Sequence, residues 1–303
     1  MINDIYKNRN YAGCFNAALS TYSTNITKIF RATWIYALVF SLISGAGAFT
    51  PVWASFSASE HGYAAVTLVV CAVLGIVSII VDARLKAGVV SMLNGDTVKA
   101  NMAKFIKISI LSIVLVAIVA VIMCMATYGM TLFDFVKNLS FSTGCILMAS
   151  VNVCILILAV VFMSPFIYSV SKYIFVPGLK FKSLFGRNYH IGLHKLGFLF
   201  TTAILLGLFC SIICLVLCIP GLLSNLASSI DSYGVAQGDA SGLPGYFAWL
   251  NFMSTALLAF IMQYVVLWAV FVFFYAYGNV ETYATDSNTT IAATATTDLE
   301  QTK

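Results

Sequence analysis

A chain of 303 residues that is 61% hydrophobic and only 9% charged is unlike soluble domains, in which roughly a quarter of residues are charged, so a cytosolic globular fold is excluded. The mean hydropathy of +0.96 is carried by uncharged runs of about 20 residues, each long enough to cross a hydrocarbon core roughly 30 Å thick. The net charge of +5 sits beside those runs, where anionic head groups attract each Lys or Arg by about 1 kcal/mol, which argues for lipid and against nucleic acid as the partner.

In residues 1–33, Tyr11, Phe15, Ala18, Leu19, Tyr22, Ile26 and Phe30 recur at helical spacing, which predicts an amphipathic helix lying on the membrane surface. No charged leader, short apolar core and cleavage site precede Trp34, so a mature N-terminus is expected. The first two spans are expected at 34–56 and 62–81. Ala37, Ser41 and Gly45 in the first, and Thr67, Cys71 and Gly75 in the second, stand four apart. Small residues at that spacing let backbones approach, and the two stripes are expected to clasp each other within the hairpin. Asp82 ends the second span and is followed by Arg84 and Lys86, the pattern of a carboxylate paired locally at the interface.

After a Gly95-Asp96 turn, Val98, Met102, Phe105 and Ile106 form a second apolar stripe beside Lys99, Lys104 and Lys107, the mark of a second interfacial helix. Spans three and four are expected at 108–128 and 144–166. Pro177-Gly178 then breaks the chain, and Phe181, Leu184 and Phe185 among Lys180, Lys182 and Arg187 predict a third interfacial helix. The fifth span is expected at 198–220 and the sixth at 246–275, joined by a Gly-rich loop. From 278 to 303 the chain is a Thr, Ala and Asp rich tail, too poor in large apolar residues to order itself. The domain reading is therefore 1–33 interfacial region, 34–277 six-helix transmembrane domain and 278–303 disordered tail.

Lys and Arg set the orientation. Four precede the first span (Lys7, Arg9, Lys28, Arg31), five lie between the second and third, and five lie between the fourth and fifth, including Lys172 and Lys195; only Lys137 is on the opposite side. Basic residues are retained in the cytoplasm, so both termini are expected there, in the cytoplasmic (inner) membrane. The fold class expected is all-α, a polytopic membrane protein with six transmembrane helices and three basic cytoplasmic interfacial helices.

Three segments share a faint pattern just before an outward-going span: Asn25-Ile26-Thr27-Lys28-Ile29, Asn101-Met102-Ala103-Lys104-Phe105 and Gly192-Leu193-His194-Lys195-Leu196. Three like units, each a basic helix followed by a hairpin, are implied; an ordinary hairpin at the inner membrane would read the same way. In this layout the chain resembles six-pass bacterial inner-membrane families of the YciC type and the membrane domain attached to some glycerophosphodiester phosphodiesterases. A carotenoid-cleaving oxygenase needs four His around iron, whereas only His61, His190 and His194 occur here.

Chemistry-bearing residues are sparse. No ionisable group stands within a span, where charge-coupled transporters keep one. Asn152, Thr201, Thr202 and Gln263 are the main polar groups at depth; they read first as helix-packing groups, and Asn152, Thr201 and Gln263 are also the candidate path for a neutral solute. Cys210, Cys214 and Cys218 lie on one helical face, with Cys124 and Cys145 at similar depth; small apolar packing outranks a soft-metal or disulfide role. His190 and His194 at i, i+4 lack a third ligand, and His61 with Ser241 has no rigid platform for hydrolysis. No Walker A, dinucleotide or EF-hand motif occurs, so neither cofactor nor metal is expected and enzymatic activity is disfavoured. The expected function is that of a membrane-complex subunit or lipid-contacting scaffold, with a permease or exporter for a neutral or amphipathic molecule as the alternative. Its partners are membrane lipids, anionic on the cytoplasmic side, and a membrane protein. The contact residues expected are Lys28, Arg31, Lys99, Lys104, Lys107, Lys180, Lys182, Arg187 and Lys195.

Overall fold

The computed structural model describes residues 5–47, 61–133, 140–240, 242–244 and 246–301, with side chains in those ranges apart from 61–67, 141, 232 and 284–301. The elements in order are α1 (Tyr11–Gly47), α2 (His61–Asn94), α3 (Val98–Leu132), α4 (Phe141–Phe175), a 3-10 turn (Phe181–Leu184), α5 (Arg187–His194), α6 (Leu196–Ala236) and α7 (Phe247–Gln301), with no strand among the described residues. Six of them are long and apolar enough to cross a membrane, and the chain is a multi-pass membrane protein. Helix is the form such sequences must take, because a backbone in hydrocarbon has to satisfy its polar groups within the segment.

The helices outrun the expected spans. At 1.5 Å per residue, the 37 residues of α1 reach about 55 Å, well beyond a hydrocarbon core of roughly 30 Å. The first two basic stretches are thus the leading turns of α1 and α3, with no break between stripe and span. The reason is local: neither 24–34 nor 98–108 contains Gly or Pro, so nothing stops the helix. Only the third stretch, bounded by Pro177-Gly178 and Gly186, folds into separate short pieces, with Gly178 at a φ of +75° that a residue with a Cβ rarely adopts. The expected apolar face of 11–30 is divided as well: Ala18 and Tyr22 are buried, while Leu19, Ile26 and Phe30 are exposed.

The chain divides into two compact units, Met1–Ala18 with Ile106–Leu205 and Val272–Lys303, and Leu19–Phe105 with Leu206–Phe271. In the first, Tyr168, Leu199, Ala276, Tyr277 and Val280 form the buried centre. A Cβ at Gly278 would overlap the backbone carbonyl of Ile5, so glycine is what lets the N-terminal segment lie against α7. Arg9 is fixed there twice, its N–H donating to Asn279 Oδ1 at 2.7 Å and its guanidinium 5.0 Å from the centre of the Tyr275 ring.

In the second unit the Tyr22 phenol donates to the Tyr264 carbonyl at 3.1 Å, and Phe30 stacks on Tyr264. Ala37 and Ser41 are buried, and a Cβ at Gly45 would meet the Phe252 ring and Ala256 at 3.0–3.1 Å. At Gly45 the first small-residue stripe therefore meets α7. Cys71 is exposed and Gly75 has open space around it, while the side chain of Thr67 lies outside the described residues. The expected clasp is corrected at Gly45, Cys71 and Gly75: small residues permit approach but do not select which helix comes close. The disordered tail expected from 278 is corrected at its start, where Asn279 and Val280 are buried in α7 and Glu281 is ion-paired; the side chains from 284 on lie outside the described residues.

Candidate functional site

The first unit gathers polar groups where α4, α5 and α7 meet. Lys172 and Tyr168 stand one turn apart on α4, and Glu281 comes from α7. Lys172 Nζ donates to Glu281 Oε1 at 2.9 Å and Oε2 at 3.1 Å, and to the Tyr168 hydroxyl at 2.9 Å, while that hydroxyl donates to Glu281 Oε2. The side chains of Lys172 and Glu281 are 18% and 25% exposed, so the pair is partly desolvated and each charge depends on the other. The sequence does carry a signal for this cluster, since Glu281 is the only acid between Asp239 and Asp286. What hides it is distance along the chain, 109 residues from Lys172.

Residues 162–167 of α4 face two ways. Pro165 removes one intrahelical donor, and on the same turn the Phe162 carbonyl accepts the Tyr189 phenol at 3.0 Å. Phe166 packs on Phe185 and Tyr189 with ring centres 5.5 and 4.9 Å apart. A Cβ at Gly192 would stand 2.7 Å from the Pro165 carbonyl oxygen, so α5 lies backbone to backbone on α4. The opposite edge of this turn, with Met163, Ser164 and Ile167, lines a cavity of about 450 Å3 whose walls also come from α3, α6 and α7.

The connection between α4 and α6 presents Lys180, Lys182, Arg187, His190, His194 and Lys195 to the outside, with Phe185 and Leu193 exposed beside them. From 135 to 230 the sequence has no Asp or Glu, so the local charge is unopposed within this stretch. The rings of His190 and His194 meet edge to face at 4.6 Å between centres. They offer two nitrogens, and among the described residues no His, Cys, Asp or Glu completes a group of three able to hold a metal.

The other sequence-selected residues are distributed between the two units. In the second, Lys28, Arg31 and Lys99 are exposed, whereas Lys104 is half-buried and pairs with Asp96 at 3.3 Å. That pairing belongs to a turn held by reciprocal amide bonds between Asn94 and Asn101 at 3.0 and 3.1 Å. Asp82 pairs with Lys86 at 2.7 Å, and Arg84 lies 5.0 Å from the centre of the Tyr36 ring. Lys107, in the first unit, is exposed. Of the three candidate path residues, Asn152 and Thr201 are in the first unit and Gln263 in the second. Asn152 donates to Thr127 Oγ1 at 3.0 Å, Gln263 is buried, and none of the three lines the cavity. Cys214 and Cys218 have their sulfurs 3.6 Å apart as free thiols. Ser241 and Lys137 lie outside the described residues, as does the side chain of His61.

No protein-family model, curated protein or solved structure matches the chain.

Proposed function

We propose that this multi-pass membrane protein works by contact, as a lipid-contacting scaffold or subunit of a membrane complex, seated in a bacterial inner membrane with both termini in the cytoplasm. The observation that carries the reading is the 176–195 connection: exposed cations with no acid near them in sequence, set beside exposed Phe185 and Leu193. Cations flanked by apolar side chains favour an anionic membrane surface, the cations meeting head groups and the rings the acyl boundary. The acids at the helix ends support it too. Asp82, Asp96 and Glu281 are each paired with a lysine, the arrangement of structural charges at an interface. A permease has less support, because the cavity includes none of Asn152, Thr201 and Gln263. The layout shared with YciC-type families is in keeping with a contact role.

Charge reversal tests it. The triple variant Lys180→Glu, Lys182→Glu, Arg187→Glu should release an anionic lipid or a protein partner that copurifies with the parent chain, read by native mass spectrometry of the gently solubilised protein. Unchanged association would overturn the reading.

A further inference from the structure

The geometry points to a site for one anionic phospholipid in the first unit, with an acyl chain in the cavity between α3, α4, α6 and α7 and the head-group phosphate at Lys107 and Lys195. This rests on the lipid-contacting reading and makes it specific. The cavity is about 450 Å3, within the roughly 300–1,000 Å3 range of ligand sites. Ser164 alone among its lining residues is polar, and its hydroxyl already donates to the Val160 carbonyl at 2.6 Å. An ordered water needs about 2–4 polar partners, so the space suits hydrocarbon. Left empty, its walls forgo van der Waals contacts that a chain would supply.

Charge complementarity selects the lipid. Val116 on α3 and Ala203 on α6 line the cavity. Lys107 lies nine residues before the one and Lys195 eight before the other, which is about 12–14 Å along each helix. On α4, which runs the opposite way, Lys172 lies five residues beyond the lining residue Ile167, about 7–8 Å along the helix. Three helices thus carry a cation beyond the same end of the cavity. Lys172 is neutralised by Glu281, whereas Lys107 and Lys195 are exposed, and Lys195 is held 4.6 Å from the centre of the Tyr283 ring. Two cations over an apolar slot match a phosphodiester on a hydrocarbon chain.

The test uses the full chain reconstituted in turn with vesicles of palmitoyl-oleoyl phosphatidylglycerol and of palmitoyl-oleoyl phosphatidylcholine, then read by native mass spectrometry. The parent chain should retain one phosphatidylglycerol and prefer it by at least about tenfold. Lys107→Glu with Lys195→Glu should erase the preference, and Ala203→Phe should lower retention of both lipids. Ala203→Leu is the milder filling should the phenylalanine prevent folding. Equal retention of the two lipids by the parent, or unaltered retention in both Ala203 variants, overturns the site. Release of anionic lipid by the 180, 182 and 187 triple variant alone also overturns it, while leaving the broader contact reading in place.

Discussion

Glu281 accepts from two donors on α4, the Lys172 ammonium and the Tyr168 phenol. Truncation would strand a lysine whose side chain is 18% exposed. A fully buried pair loses about 3–5 kcal/mol when one partner is removed, and the residual exposure here scales that down to about 2 kcal/mol for Glu281→Ala. Replacing both charges, Lys172→Met with Glu281→Leu, should recover most of the loss, since no charge is then left unpaired. Thermal unfolding in detergent, followed by circular dichroism over the four species of a double-mutant cycle, checks both; an unshifted midpoint for Glu281→Ala would show the pair to be solvated. From the sequence alone Glu281 falls in the tail and has no role. Its partners depend on the register between α4 and α7, which no local pattern encodes.

Helix α5 is held to α4 by a close backbone approach and by aromatic packing. A methyl group at Gly192 would stand 2.7 Å from the Pro165 carbonyl oxygen and 3.0 Å from its Cα, and neither backbone can yield without moving the whole element. Gly192→Ala should therefore destabilise the connection by about 1–3 kcal/mol, the usual cost of overpacking. Hydrogen exchange should quicken over 181–194 and stay unchanged at the Asn94 and Asn101 turn in the other unit, whereas uniform exchange would place the strain elsewhere. The periodicities at 11–30 and 98–106 located helix correctly and misjudged where it ends, because amphipathic spacing reports a face while only a breaker reports a stop. Pro177-Gly178 supplied that breaker once, and there the connection does form separate short pieces.

At the scale of the molecule, the proposed orientation rests on where the cations fall, and it is open to a direct check. Trypsin should cut at the exposed Lys180, Lys182 and Arg187 in inverted vesicles and leave them intact in right-side-out ones; the reverse pattern would invert the topology. The spans on α3 and α4 keep none of their most apolar stretch buried within the protein, so lipid or another protein must cover them. The sequence by itself determined the number of membrane-length apolar helices and the all-helical class, because hydrocarbon thickness and backbone satisfaction act on each segment separately. Tertiary structure decided that Gly45 meets Phe252 and Ala256, that Lys172 finds Glu281, and that four apolar helices leave a cavity beside Ser164. Those outcomes depend on helix register and on side-chain bulk across elements far apart in the chain. Apolar faces that are chemically alike carry no local mark of which neighbour will fit.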